Sequence, residues 1–418
     1  MPDNYQECLL NSYSPLPVNF EYGNGVWLFD KNNKRYLDLI SGLGVTGLGH
    51  SNSKIITAIS NQSAKLLHVS NLVQVPQQAI LAKMLVTLAG LYSAANNLSA
   101  KVFFSNSGTE AIEAAIKLTR LYGHSKNIAD PKIIVMDNAY HGRTLAALSA
   151  TGNLELRKGF EPLLDCFIRI PFNDITALTN ISSSKDAKDI VAVLLEPIQG
   201  EGGIKVPDDN YLKNIRTICS DHNWLMMLDE IQTGIGRTGQ LFCYQHYNII
   251  PDVITIAKGL ANGIPIGACI IKQPFADLFT PKSHGSTFGG NPLACSVAIA
   301  SLEEISENNL WEKAAASGVY FLNKLKQALN NNSHVLEIRG KGLMIGIELD
   351  KPCRDIMLIA LEHGLLCNIT KNTVIRLLPP LIIEKEHIDF AVEKITLIIN
   401  QFYLGTSGIE PPTTTMSR

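Results

Sequence analysis

Two stretches decide the fold, Trp224-Leu-Met-Met-Leu-Asp-Glu-Ile-Gln-Thr-Gly-Ile-Gly-Arg-Thr-Gly239 and Thr255-Ile-Ala-Lys-Gly-Leu-Ala-Asn-Gly263. In the first, residues 225–228 predict a short apolar strand that ends at Asp229. In the second, residues 253–256 predict another apolar strand, which Lys258 closely follows. Because ligands bind outside the carboxyl ends of such strands, we expect this carboxylate and this amine to point towards one place.

The rest of the chain extends this pattern. Between about residues 70 and 300, short apolar runs alternate with helical patterns, which predicts an α/β fold with a large, mostly parallel sheet covered on both faces. We expect a large domain at 70–300, a smaller α+β domain at 301–404 and an N-terminal segment at 1–69 that packs on the small domain. The tail at 405–418 lacks periodicity and is expected to be flexible.

The composition indicates an ordinary globular protein, with 418 residues, 46% hydrophobic and 18% charged. The net charge of −2 argues against a nucleic-acid surface. No apolar run approaches the ~20 residues of a membrane span, and no secretory signal is visible. The eight cysteines form no CxxC pair, so we expect reduced thiols and a cytoplasmic location.

A phosphate site is indicated by Ser105-Asn-Ser-Gly-Thr-Glu110, which follows a predicted strand and opens a helix. Such a junction presents free N–H groups and the positive end of the helix dipole. Ser107, Gly108 and Thr109 offer backbone and hydroxyl donors. Simple helix capping by Ser107 or Thr109 accounts for the same residues equally well. Ser286 and Thr287 are further candidate phosphate donors.

Four residues suit a flat, charged ring. Asp229 follows an apolar run, and a buried carboxylate needs a cationic partner such as a protonated pyridine nitrogen. Gln232 can donate to a ring oxygen, and Tyr140 can stack on the ring. In an apolar pocket Lys258 would have a lowered pKa and could form a Schiff base. A helix cap, a core tyrosine and a solvated lysine remain the plainer explanations.

Charged residues on neighbouring loops and strands suit a substrate. Arg143 can form a two-pronged contact with a carboxylate, although a surface arginine is the simpler explanation. Glu201 follows a predicted strand and is expected at the same rim. Arg376 is a lone charge in the apolar run Ile-Arg-Leu-Leu-Pro-Pro, so we expect it to pair with an acid or a ligand carboxylate.

Taken together, these residues resemble class III, the ω-amino-acid subgroup of the pyridoxal-phosphate aminotransferases of fold type I. The resemblance runs from about Pro17 to about Phe402. It rests on five motifs that occur in the order of the family, namely Ser-Gly-Thr-Glu-Ala, His-Gly-Arg-Thr, Glu-Pro-Ile-Gln-Gly-Glu-Gly-Gly, Asp-Glu-Ile-Gln-Thr-Gly and Gly-Ser-Thr-Phe-Gly-Gly-Asn-Pro-Leu-Ala.

The resemblance implies that pyridoxal 5′-phosphate is the cofactor and that Lys258 carries it covalently. It implies that Asp229 pairs with the pyridine nitrogen and that Gln232 contacts the phenolic oxygen. Tyr140 would stack on the ring where the family usually has Phe.

The resemblance also implies how phosphate and substrate are held. Gly108 and Thr109 would bind the phosphate, together with Thr287 from the partner subunit of a homodimer. Arg143 and Ser286 would hold substrate, and Arg376 would hold the α-carboxylate of glutamate or 2-oxoglutarate. Glu201 is expected to pair with Arg376 when an ω-amine donor is bound.

The implied reaction moves a terminal amino group to 2-oxoglutarate, and the likeness is greatest to bacterial enzymes that act on N2-acetylornithine. Ile112 departs from those enzymes, which commonly have Asn there. Ornithine, 4-aminobutyrate and succinyl-diaminopimelate remain alternative donors. A Rossmann dehydrogenase is disfavoured because its glycine fingerprint is missing. A non-catalytic binding protein on the same fold would be expected to lose Lys258 or Asp229, and both are present.

Overall fold

The computed structural model of the chain describes residues 8–93 and 97–405. The expected flexible tail lies outside these residues apart from Gly405, which ends the last helix. Among the described residues, no helix is both long and apolar enough to cross a membrane.

The strands are numbered in chain order. They are β1 Phe20–Asn24, β2 Trp27–Asp30, β3 Arg35–Asp38, β4 Tyr92–Ser93, β5 Asn97–Leu98, β6 Ala100–Ser105, β7 Lys132–Met136, β8 Phe167–Ile170, β9 Ile190–Leu195, β10 Leu225–Asp229, β11 Val253–Ile256, β12 Gly267–Lys272, β13 Val335–Lys341, β14 Met344–Leu349, β15 Leu365–Leu366, β16 Asn368–Thr370 and β17 Val374–Leu377.

The helices are numbered in the same way. They are α1 Ser53–Ser63, α2 Pro76–Leu88, α3 Gly108–Ser125, α4 Leu145–Ala150, α5 Leu154–Arg157, α6 Ile175–Ser182, α7 Tyr211–Asp221, α8 Pro292–Glu307, α9 Leu310–Leu329, α10 Ile356–Glu362 and α11 Lys385–Gly405. Short 3-10 helices occur at Lys185–Asp189, Cys243–Tyr247, Lys258–Ala261 and Phe275–Leu278. The segment Ser41–Gly44 is a left-handed turn, because φ is positive at all four residues.

The central sheet has the order β6-β12-β11-β10-β9-β7-β8. Strands β11, β10, β9, β7 and β8 are parallel, and β12 runs antiparallel to both of its neighbours. Every residue of β9, β10 and β11 is buried, which explains why these strands are continuous apolar runs rather than alternating ones. The predicted α/β fold is confirmed, with one antiparallel strand in an otherwise parallel arrangement.

Two smaller sheets lie at the chain ends. The C-terminal sheet has the antiparallel order β13-β14-β17-β16. The N-terminal sheet has the order β1-β2-β3-β15, so a strand from the C-terminal region completes it and pairs Leu365 with Leu37. One continuous core connects the N-terminal region, one face of the central sheet and the C-terminal helices.

The site follows from the parallel strands. Parallel strands end at one edge of their sheet, and the loops after β7, β9, β10 and β11 therefore come together there. These four loops carry Tyr140, Glu201, Gln232 and Lys258.

Candidate active site

A cavity of about 420 Å³ opens at this edge of the central sheet. Most of the predicted site residues line it, namely Ser107, Gly108, Thr109, Tyr140, Arg143, Asp229, Gln232 and Lys258. Further lining residues to which the sequence analysis gave no role include Val45, His141 and Glu196.

Asp229 lies at the bottom of the cavity and is only 4% exposed. Its Oδ1 accepts the Ile231 N–H at 3.1 Å, and its Oδ2 lies 2.8 Å from Nδ1 of His141, which is also buried. Because a carboxylate accepts hydrogen bonds, His141 donates from Nδ1. The carboxylate is thus fixed in orientation and keeps lone pairs for a cationic group. His141 was missed, although it directly follows Tyr140 in a loop at a strand end.

Lys258 begins the 3-10 helix that follows β11, and its backbone has φ of +39°. Such a conformation is uncommon for a residue other than glycine. Burial lowers the pKa of the amine below its ordinary value, although the Glu201 carboxylate opposes the shift. A neutral amine is a nucleophile and a base, so this environment suits covalent and proton-transfer chemistry.

The start of helix α3 forms the other wall of the cavity. Ser107 caps the helix, because its side chain accepts the Glu110 N–H at 3.3 Å. Capping of this kind satisfies one N–H, and others in the first turn remain available for an anion. Gly108 is needed here for space, since a Cβ atom would lie 2.8 Å from Cδ1 of Ile231. The hydroxyls of Thr109 and Thr144 share a hydrogen bond of 2.9 Å.

Glu196 is a second buried carboxylate, 5% exposed, and it joins two loops of the site. Its oxygens accept the N–H groups of Tyr140 at 3.0 Å and Gly200 at 2.9 Å. Burial, assisted by the nearby charge of Asp229, raises the pKa of Glu196 to about 7. No role was predicted for Glu196 from the sequence, and the structure shows that it fixes the loop of Tyr140 relative to the loop of Glu201.

An ion pair between Glu201 and Arg376 stands beside the cavity. Arg376 is 1% exposed, and its Nε donates to Oδ1 of Asn368 at 3.1 Å. Burial alone would raise the pKa of Glu201. Arg376, together with Lys258 and Arg143, outweighs this effect, so the pKa of Glu201 lies below its ordinary value. A larger outer cavity of about 990 Å³ is lined by Glu201, Lys258 and the exposed Arg143.

The two residues from the Gly-Ser-Thr motif lie apart from these groups. Ser286 accepts a hydrogen bond from Nδ2 of Asn106 at 3.1 Å, but it does not line the cavity beside Lys258. Thr287 is exposed and lines neither that cavity nor the outer one. Their predicted roles in substrate and phosphate binding therefore stay predictions.

A cavity with a helix start, a buried carboxylate and a nucleophilic amine suits an anionic cofactor that a lysine can hold covalently. The family model for "Aminotransferase class-III" matches residues 9–399. Acetylornithine aminotransferase 1 of Bordetella bronchiseptica is 46% identical over 94% of this chain and 98% of that protein. The acetylornithine aminotransferase of Aquifex aeolicus is 45% identical over 94% and 99%.

Solved structures agree with these relatives. The acetylornithine aminotransferase of Elizabethkingia anophelis superposes with a TM-score of 0.85 at 36% identity, covering 95% of this chain and 97% of that one. The ornithine aminotransferase of Toxoplasma gondii superposes with a TM-score of 0.89 at 31% identity, covering 96% and 94%. The chain therefore belongs to the class-III aminotransferases, as the sequence motifs predicted.

The protein is thus an aminotransferase that uses pyridoxal 5′-phosphate, an amino donor and a keto acid. The residues present fit this cofactor. The start of α3 suits its phosphate, the oriented Asp229 carboxylate suits its pyridine nitrogen, and the amine of Lys258 suits its aldehyde.

Proposed function

We propose that the enzyme transfers the terminal amino group of N2-acetyl-L-ornithine to 2-oxoglutarate. The products are N-acetyl-L-glutamate 5-semialdehyde and L-glutamate, as in arginine biosynthesis. Relatives with the name acetylornithine aminotransferase that are 42–46% identical support this donor. The structural observation that carries the proposal is the Glu201–Arg376 ion pair beside Lys258, with the exposed Arg143 lining the same outer cavity as Glu201.

The floor of the cavity would hold the cofactor ring. Lys258 would attach the cofactor through its amine, and Asp229, oriented by His141, would keep a proton on the pyridine nitrogen. When bound, pyridoxal phosphate withdraws electrons from the carbon that bears the amino group. Gln232 would donate to the ring oxygen, and Tyr140 would cover one face of the ring.

The phosphate group would lie at the start of α3. Backbone N–H groups of Gly108 and Thr109 and the hydroxyl of Thr109 are donors there. Ser107 contributes by closing the helix turn, because its own side chain already accepts the Glu110 N–H.

Lys258 would also move the proton. When the amine of the donor has replaced it, Nζ of Lys258 is the base that removes a proton from the carbon bearing the amino group. Its lowered pKa keeps more of the amine neutral at physiological pH.

Two unlike substrates must use this one site. Glutamate carries a carboxylate on the reacting carbon, whereas an ω-amine donor does not. A free Arg376 would attract the only carboxylate of the donor and hold the donor the wrong way round. We therefore propose that Glu201 pairs with Arg376 while the donor reacts and leaves it when glutamate or 2-oxoglutarate binds. Arg143, aided by Ser286, would hold the remote carboxylate in both halves of the reaction.

We propose a homodimer with shared active sites. The segment around Leu67 and the Phe288 loop are adjacent, because the His68 and Phe288 rings are 5.2 Å apart. This surface exposes several apolar side chains, namely Leu66, Leu67, Leu72, Val73 and Phe288. A patch of this kind is typical of a subunit interface. In such a dimer, Thr287 would serve the phosphate site of the second copy. Sedimentation of the enzyme as a single subunit at assay concentration would contradict this.

We also propose a cytoplasmic location, which fits the eight unpaired cysteines. For the domains we keep the division into a cofactor domain at 70–300, a small domain at 301–404 and an N-terminal segment at 1–69.

The donor is tested with a panel of amines. Acetylornithine, ornithine, 4-aminobutyrate and succinyl-diaminopimelate would be compared as donors to 2-oxoglutarate by kcat/KM. We expect acetylornithine to have the highest value. Ornithine is included because ornithine aminotransferases are among the similar structures. A higher kcat/KM for ornithine than for acetylornithine would contradict the proposed donor.

A further inference from the structure

Glu201 follows a strand of the central sheet in the sequence, but its loop is fastened to the C-terminal sheet. We call residues 199–205 the Glu201 loop. Thr370 donates from its hydroxyl to the Glu201 carbonyl at 2.6 Å. Arg339 on β13 donates from Nε to the carbonyls of Gly203 at 3.1 Å and Ile204 at 2.9 Å. The loop backbone is therefore held independently of the Glu201 carboxylate.

A row of paired residues on the C-terminal sheet receives this loop. Arg339 pairs with Gly346, Gly346 pairs with Arg376, and Arg376 pairs with Asn368, so their side-chain positions share one face. Gly346 leaves a gap between the two arginines. Ile204 fills it, since a Cβ atom on Gly346 would lie 3.0 Å from Cβ of Ile204.

The loop conformation needs to be held. Ile204 is completely buried and has φ of +51°. A β-branched residue is a real outlier in this left-handed region, and such strain persists only where the surroundings enforce it. Two features hold Ile204 in this conformation: the hydrogen bond from Arg339 to its carbonyl, and its packing into the gap at Gly346.

The two arginines of the row have different bonding states. Nη2 of Arg339 donates to the Gly203 carbonyl at 2.5 Å, and Nη1 donates to two carboxylates, Glu337 at 2.5 Å and Glu348. It therefore has partners on all sides and no need of a substrate. Arg376 has one carboxylate partner, Glu201, beside the substrate cavity. Only Arg376 is placed to exchange that partner for a substrate carboxylate.

We infer that Arg339 is a positioning residue for substrate selection, because it holds the Glu201 loop in place while the Glu201–Arg376 pair opens and closes. This inference rests on the proposed use of the site by two kinds of substrate. The residue that holds the Glu201 loop must not itself belong to the Glu201–Arg376 pair. Arg339 meets that condition, because it contacts the loop backbone and not the Glu201 carboxylate. Without it, Glu201 would return to Arg376 less often, and the donor half of the reaction would suffer more than the glutamate half.

The test combines hydrogen exchange with single-turnover kinetics in Arg339→Gln and Arg339→Lys. Hydrogen–deuterium exchange of loop amides at 199–205 should rise by about tenfold in Arg339→Gln, with and without cofactor, because charge-assisted hydrogen bonds are lost. Loss of the absorbance of bound cofactor should slow about tenfold with acetylornithine and less than about twofold with glutamate. Arg339→Lys, which keeps the charge, should lie between wild type and Arg339→Gln.

A matched control is Arg216→Lys. Arg216 contacts a carboxylate of Asp252 at 2.6 Å and a backbone carbonyl of Ile250 at 3.5 Å, but it lies away from the Glu201 loop. It should leave both half-reactions and loop exchange unchanged. If Arg339→Gln does not fold, Gly346→Ala provides a second route, because it displaces Ile204 without removing a charge.

Unchanged loop exchange, or equal slowing of the two half-reactions, would overturn the inference. Failure of the proposed function would look different. In that case wild-type enzyme itself would not react with acetylornithine, and the kinetic comparison would be made with the ω-amine it does use. The exchange measurement judges the anchor in either event.

Discussion

The active site has two parts. The floor contains Asp229, Glu196, Lys258 and Tyr140, and the mouth contains Arg143, Glu201 and Arg376. These two parts are built in opposite ways. On the floor, Asp229 and Glu196 are buried, and each of their oxygens has a fixed donor from a neighbouring backbone N–H or from His141. At the mouth, the exposed Arg143 faces an ion pair whose partners, Glu201 and Arg376, are 175 residues apart in the chain. A fixed floor suits a cofactor that stays, and a pair that can separate suits substrates that alternate.

The largest effect is expected on the floor, from Lys258→Ala. Loss of both the covalent attachment and the base should lower turnover by at least about 10³-fold. The visible band that borohydride abolishes in the wild-type holoenzyme should be absent. Lys272→Ala, which changes a lysine at the end of strand β12, is the control and should keep the band and the activity. A Lys258→Ala protein with substantial turnover would break the assignment of the floor.

A smaller effect concerns the pH dependence of apoprotein stability and Glu196. Burial raises the pKa of Glu196 to about 7 from an ordinary value of 4.5, so the folded state binds more protons than the unfolded state between these values. Stability should therefore fall as pH rises through this window, by on the order of 3 kcal/mol for this group. Thermal unfolding of the apoprotein from pH 4.5 to 8 should show the fall.

Glu196→Gln isolates this contribution, because glutamine does not titrate. The stability of this variant should fall less steeply with pH than that of the wild type. The variant should also lose some stability at all pH values, because an amide has only one oxygen to accept the two backbone N–H groups. Glu230, another buried carboxyl whose pKa burial raises to about 7, is present in both proteins and cancels from the comparison. Parallel stability curves would show that Glu196 does not carry the effect.

The smallest effect should come from Tyr140→Phe. The role of Tyr140 is to cover the cofactor ring, and phenylalanine offers the same apolar face. We expect kcat/KM to change by less than about twofold. Tyr140→Ala is the informative companion, since it should weaken cofactor binding measured by fluorescence titration. A large loss of kcat/KM in Tyr140→Phe would contradict this, because it would show that the hydroxyl also takes part in binding or catalysis.

The sequence predicted the floor well for a physical reason. Strands buried on both faces are continuous apolar runs, so β9, β10 and β11 are visible in the sequence and their ends can be located. Asp229 and Lys258 follow directly from those ends. The antiparallel direction of β12 was not visible, because an apolar run does not reveal the direction of its strand.

The mouth was predicted less completely, since it depends on pairing between distant parts of the chain. Glu201 and Arg376 were each recognised from their local context, and their pairing was predicted from the need of one site to accept both an ω-amine donor and glutamate. Arg339 gave no local signal, because its role depends on the register that places it beside Gly346 and opposite the Glu201 loop. His141 was missed because a histidine in a loop has many simpler explanations.

The Glu201–Arg376 pair is proposed to let one site serve two kinds of substrate. Single-turnover measurement of both half-reactions in Glu201→Ala tests it most directly, with Glu155→Ala, a change in the same outer cavity, as control. We expect the acetylornithine half to slow about tenfold more than the glutamate half, because Arg376 is then free to hold the donor wrongly. Equal slowing of the two halves in Glu201→Ala would contradict it.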